Sequence, residues 1–280
     1  MKRYVAAVLL LLYLVVWGLQ KGKSEWVDYY LSPAPPASVL RIASGYASQM
    51  AAFTLFVKIA VFTGGPLHGV DRMSYAESMA QNFDVMTELY PEFIDSYHYC
   101  QSYLASISPE YAQRANVIHD RVVAAHPDIF YFPFFQAFNY FYYMGEPVKA
   151  GELLFSTSKK NKAPPWFGHM AGMLMARGGN LLAGRTMLQA MITTEKNALI
   201  RKRYLRNIEN FNKALKVQAA LDRYRDEHGK DVDSLHKLVP RYLDALPRLD
   251  DNLKYAWKPP LLRLEQPRFP VLKNGLKKTK

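Results

Sequence analysis

Two stretches decide the reading: residues 144–154, Met-Gly-Glu-Pro-Val-Lys-Ala-Gly-Glu-Leu-Leu, and residues 179–190, Gly-Asn-Leu-Leu-Ala-Gly-Arg-Thr-Met-Leu-Gln-Ala. In each, a glycine halts one helix, and the next helix sets a small residue, Ala150 or Ala183, four positions before a large one, Leu154 or Met187. Ala115 begins a third copy, so the three alanines lie 35 and 33 residues apart. Seven positions beyond them stand Val122, Thr157 and Ala190. A small side chain at that place lets two helix backbones approach, and the larger one fills the groove between pairs. A period of about 34 residues marks stacked two-helix units.

Working outward, helical stretches alternate with short breaks from residue 39 onward, and no alternating strand pattern occurs before residue 250. Helices are expected at 74–90, 91–107, 108–126, 133–144, 148–158, 165–177, 181–192 and 198–228. Ser74 and Glu77 have the spacing of a capping box, Ser108-Pro109 supplies an N-cap and a first-turn proline, and Gly229 stops the last helix. After it, two short helical turns broken by Pro240 precede a strand or extended cover strip at 253–257.

These residues resemble the tetratricopeptide-repeat (TPR) family. Residues 144–154 are similar to that family's inter-helix turn and second helix, residues 179–190 are a second copy, and Pro127 falls where its closing proline stands. The first-helix signature departs from the family: Tyr103 and Phe138 occupy the small position, and only Ala171 fits it. The resemblance covers residues 74–192. It implies an all-α, TPR-like helical-hairpin solenoid at 38–195, packed through Ala115, Ala150, Leu154, Ala183, Met187 and Ala190. The full layout is also similar to membrane-anchored TPR proteins of bacterial envelopes, which implies a scaffold.

Residues 4–19 carry no charge and follow Lys2 and Arg3. Sixteen residues make a helix of roughly 24 Å, slightly short of a bilayer core, so 1–23 reads as a transmembrane helix or signal anchor. A cleaved signal peptide is the alternative, although Val16-Trp17-Gly18 fits the small-x-small rule poorly. The leading charges favour a cytoplasmic start, opposed in part by Lys21 and Lys23. The bulk is therefore expected outside the cytoplasm, on the periplasmic side of the inner membrane in a two-membrane bacterium. Residues 24–37, with Pro33, Pro35 and Pro36, read as a stiff tether. The apolar run 46–62 puts Met50, Phe53, Val57 and Val61 on one helical face and reads as an amphipathic helix packed on protein by that face; a re-entrant or second spanning helix is the alternative.

Residues 130–143 hold ten aromatic residues, which read as core between helical pairs or, in Tyr131, Phe135, Tyr140 and Tyr143, as a groove for a partner. The chain's 36 Lys and Arg against 24 Asp and Glu give +12, and residues 196–280 hold 21 of the former but 10 of the latter. Arg201, Lys202, Arg203 and Arg206 form a basic patch on the long helix. A domain at 196–257 is thus expected as a basic, mostly helical extension, and 258–280, rich in Pro and Lys, as a flexible tail. Its charge suits a solvated face, anionic lipid or an acidic partner; nucleic acid is disfavoured because no recognition motif is present.

No nucleotide-binding glycine pattern, nucleophile elbow or zinc-binding histidine pair occurs. His119 and His126 read as core or capping residues, and Cys100 as a buried thiol. Neither a catalytic residue, a metal site nor a cofactor is expected. The reading is a membrane-tethered scaffold or adaptor that binds a protein partner in envelope assembly or secretion. The alternatives are a permanent subunit of a secretion, pilus or polysaccharide-export complex, and an envelope enzyme or glycan-binding protein using the aromatic cleft.

Overall fold

The computed structural model describes residues 10–15, 30–65, 70–250 and 252–266. Of the expected anchor at 1–23, residues 10–15 are helical with exposed side chains. Its remainder, residues 24–29 of the tether and residues 267–280 of the tail lie outside the described residues. The described chain is mostly helical and forms two compact units, Met1–Cys100 and Gln101–Lys280. Within the second unit, the helices before and after residue 195 pack on one another.

In the first unit, α1 (Ala37–Ser44) is joined by the 3-10 turn Gly45–Ala47 to α2 (Ser48–Gly64), and α3 (Met73–Leu89) and α4 (Ile94–Tyr99) follow. Ala37–Gly64 is the one described stretch long and apolar enough to cross a membrane. Ala52, Leu55, Ile59 and Phe62 of α2 are buried. Of the face expected to meet protein, Met50, Val57 and Val61 are exposed, while the half-exposed Phe53 does pack on Phe93, with ring centres 4.6 Å apart. Both stripes are apolar, and the buried one is that which meets α3 and its neighbours, as in the Phe62–Tyr75 ring contact at 5.1 Å. The C-terminal end of the expected tether is docked: Leu31 is buried, and Ser32 O accepts from Lys58 Nζ at 2.6 Å and Asn82 Nδ2 at 2.9 Å. The expected capping box is replaced by Asp71, whose carboxylate takes the Met73 N–H at 3.0 Å while Ser74 Oγ donates to Asp71 O.

The second unit contains α5 (Pro109–Ala125), α6 (Tyr131–Phe138) continued by a π-helical turn (Asn139–Tyr143), α7 (Pro147–Ser158), α8 (Trp166–Arg177), α9 (Leu181–Thr194) and α10 (Ala198–His228). Each packs on the next in the chain, as short connections between helices require. Their ends are set locally. Ser108 caps α5, Asn180 caps α9 through the Ala183 N–H, and Asn197 caps α10 through the Leu199 and Ile200 N–H groups. Gly229 stops α10 with φ 66°, a left-handed conformation open to glycine at no steric cost.

Ala115, Ala150 and Leu154 are fully buried, Met187 is nearly so, and Ala183 is partly buried. Ala190 is exposed and fills no groove. The close approach sits one residue beyond Ala183: a methyl on Gly184 would lie 2.7 Å from Gly172 O and 2.7 Å from Phe211 Cε1. At the α7–α8 contact a methyl on Gly151 would lie 3.0 Å from Ala171 O. Glycine is thus the residue that permits backbone contact across three successive helices.

A strand was expected at 253–257, but not the second strand that pairs with it. β1 (Lys254–Lys258) and β2 (Leu261–Glu265) form an antiparallel hairpin in the register Lys254↔Glu265 to Lys258↔Leu261. β2 begins inside the stretch expected to be tail, held because it packs on α8 and α10 and buries Leu262 and Leu264 in the core cluster that also contains Phe211, Val217 and Leu221.

Gly184→Ala gains helix propensity but drives a methyl into backbone. It should lower stability by about 1–3 kcal/mol, the usual range for overpacking, read as a lower urea midpoint at unchanged slope. Gly172→Ala, which meets the movable Leu188 side chain first, should cost less.

Candidate functional site

The face of α8 opposite its buried residues is lined by Trp166, Met170, Met173 and Arg177, at spacings of four, three and four that keep them on one stripe. Phe134, Phe138 and Phe141 face them from α6 and its π turn, and together these side chains border an open cleft of about 470 Å³. Arg203 of α10, His169 and Gln266 add polar groups. Phe134 meets Trp166 edge-on at 5.5 Å, and the Arg177 guanidinium lies 4.6 Å from the Phe141 ring centre. No ion-pair partner of Arg177 or Arg203 occurs among the described residues. The cleft therefore joins apolar walls to two cations that a ligand can neutralise.

The residues expected to form a groove do not gather here. Tyr131 is exposed and packs on Phe132 at 4.5 Å and on Phe135 at 5.9 Å. Tyr143 stands edge-on to Tyr142 and Phe138. Tyr140 borders a separate polar recess with Asn116, Asp120, Gln136 and Glu152, where Lys149 Nζ lies 5.8 Å from its ring. The π turn separates them. Met144 N–H donates to Asn139 O, five residues back, so residues after 138 no longer follow the 3.6-residue period on which the grouping relied. The turn is held from inside by carboxamides: Asn139 exchanges hydrogen bonds with Gln101 at 2.7 and 3.0 Å and donates to Asn116 Oδ1 at 2.8 Å.

The basic patch is divided. Arg203 lines the cleft, Arg206 pairs with Asp250 at 3.0 Å, and Arg201 and Lys202 are exposed. His119 and Cys100 are fully buried. Among the described residues no three His, Cys, Asp or Glu side chains gather as a metal site. The aromatic run 130–143 that supplies one wall was plain in the sequence, but the α8 side of the cleft was not anticipated. Its signal was present as Trp166, Met170, Met173 and Arg177, on the face opposite Ala171 and Met175.

His169 is held neutral. Burial pushes its pKa down to about 4, and the nearby Arg203 pushes the same way. Asn207 Nδ2 lies 2.7 Å from His169 Nε2, so that nitrogen accepts and the ring proton resides on Nδ1. The ring stacks on Tyr204, whose hydroxyl donates to Pro165 O at 2.8 Å.

No family model matches the chain, and neither curated proteins nor solved structures give a match. The likeness to TPR proteins thus rests on the motif residues alone.

The His169 environment sets a pH dependence. The folded ring stays neutral below the pH at which the unfolded ring, near 6.5, takes a proton. Protons therefore favour the unfolded chain between pH 6.5 and about 4, and stability falls as pH drops through that window. Between pH 7 and pH 5 the wild type should lose about 2 kcal/mol that His169→Gln does not lose, read from urea midpoints of the two proteins.

Proposed function

We propose that this chain is a membrane-tethered helical scaffold whose second unit, a TPR-like stack of hairpins, holds a protein partner by an apolar segment of that partner. The observation that carries the reading is the cleft between α6 and α8. Its walls are aromatic rings and methionines, side chains that accommodate varied apolar shapes, and its two arginines lack carboxylate partners among the described residues. A segment bearing a bulky apolar side chain next to a carboxylate satisfies both, with the arginine fork fixing its direction. Stacked hairpins suit this role because side chains on an outward face can vary without disturbing the packed one. The partner belongs to envelope assembly or secretion on the extracytoplasmic side of the membrane.

The test is photocrosslinking in native membranes, with a benzophenone side chain at Met173 in the cleft or at Tyr142, which is 65% exposed outside it. The expected result is a discrete adduct from Met173 alone, lost when Arg177 and Arg203 are both changed to Glu. Adducts from both positions, or none from Met173, would contradict the proposal. An adduct that survives charge reversal and copurifies in fixed stoichiometry would favour a permanent subunit.

A further inference from the structure

The structure assigns a second role to the first unit, one that goes beyond the adaptor reading: α2 lies flat in the boundary between lipid headgroups and acyl chains, with its Met50–Phe53–Val57–Val61 face toward hydrocarbon. These four side chains are 70, 46, 56 and 70% exposed; Phe53 stands at the edge of the face, its ring also packed on Phe93 at 4.6 Å. Their spacings of three, four and four residues make one helical face. Val39, Ile42 and Tyr46 extend the exposed apolar surface back into α1 and the turn. No charged residue is exposed on α2. Its charged side chain, Lys58, is turned inward to Ser32 O and Asn82 Oδ1. The hydroxyl on the open side, Thr54, donates back to Met50 O at 2.8 Å, and the exposed amide of Gln49 stands at the N-terminal end of α2, where it can reach the headgroups.

The stretch Ala37–Gly64 has the length and apolarity to cross a bilayer, but two features oppose crossing. Gly45, with φ 53°, interrupts it, leaving α2 with 17 residues, roughly 26 Å of helix, which is short of a bilayer core. The other face of α2 is also packed along α3, antiparallel to it: Phe62 meets Tyr75 at one end, and α1 at the other end places Arg41 beside Glu88 at 3.3 Å. A spanning α2 would draw α3, with Glu77, Asp84 and Glu88, through hydrocarbon, where ionised groups are costly. Lying flat lets α2 bury its apolar face in lipid while α3 stays on the aqueous side.

The chain upstream brings this face to a bilayer. Residues 4–19 are uncharged in sequence, and residues 20–29 separate them from Tyr30. Ten residues reach at most about 35 Å, and Ser32 is fastened to Lys58 on α2 itself. A bilayer that receives 4–19 therefore lies within reach of α2.

The experiment places single spin labels, through Ile42→Cys, Met50→Cys, Val57→Cys and Val61→Cys, in the full chain reconstituted into phosphatidylcholine–phosphatidylglycerol vesicles. Native Cys100 is buried. Collision with oxygen and with a water-soluble nickel chelate then gives the depth of each label. The expected result is one shared shallow depth, about 5–10 Å below the headgroups, at Met50, Val57 and Val61. Three outcomes would overturn the inference. A depth that rises to a maximum near mid-helix and falls again would mean crossing. Ready collision with nickel at all positions would mean exposure to water. Protection from both reagents would mean a protein cover, either a second copy or residues 4–19. None of these outcomes touches the α6–α8 cleft, so the adaptor reading stands or falls separately.

Discussion

Backbone meets backbone where Gly172 of α8 faces Gly184 of α9, and the second unit depends on that contact. A methyl on Gly184 would find the Gly172 carbonyl oxygen at 2.7 Å, so the two helices pack closer than side chains would normally allow. With α8 held on that side by α9, and by α7 through Gly151, its remaining stripe is only partly covered, by Phe134 at Trp166 and by the α9–α10 core at Met173. Trp166, Met170, Met173 and Arg177 occupy this stripe and become one wall of the cleft. The small residues thus serve the site indirectly, by fixing which side of α8 is covered.

Charge follows the same division. Arg225, Arg241, Lys237 and Arg206 each sit within 4 Å of a carboxylate, so part of the cationic character of the last third of the chain is answered internally. Arg177 and Arg203 instead border an apolar surface, where a cation keeps more of its attraction for an incoming anion than it would in open water. The neutral His169 beside Arg203 adds no third charge.

Much of the helical layout was legible in the sequence because its signals are local. The span Ala198–His228 follows from a capping Asn197 and a left-handed Gly229, and the α9 start from Asn180. What escaped is decided by tertiary partners. The π turn at Asn139–Tyr143 exists because Asn139 bonds to Gln101 and Asn116, residues distant in sequence, and it scatters the tyrosines expected to share a groove. On α2 two apolar stripes compete, and the stripe with Ala52 rather than the one with Met50 is covered. β2 looked like tail because Pro259-Pro260 and flanking Lys and Arg mask a strand that packs on α8 and α10 with two buried leucines. The α8 wall of the cleft was readable as a stripe, but nothing local marks it as only partly covered.

The most direct test of the clamp on α8 is disulfide trapping in the full chain. A methyl at Gly178 would lie 2.5 Å from Val148 Cγ2, and one at Gly168 would lie 2.6 Å from Met191 Cγ. Both pairs therefore fall near the Cβ separation of about 3.5–4.5 Å that a disulfide needs. Val148→Cys with Gly178→Cys, and Gly168→Cys with Met191→Cys, should each oxidise rapidly to an intramolecular bond, joining α7 to α8 at one end and α8 to α9 at the other. Failure of both pairs to close, or closure only between molecules, would contradict the clamp and the cleft that depends on it.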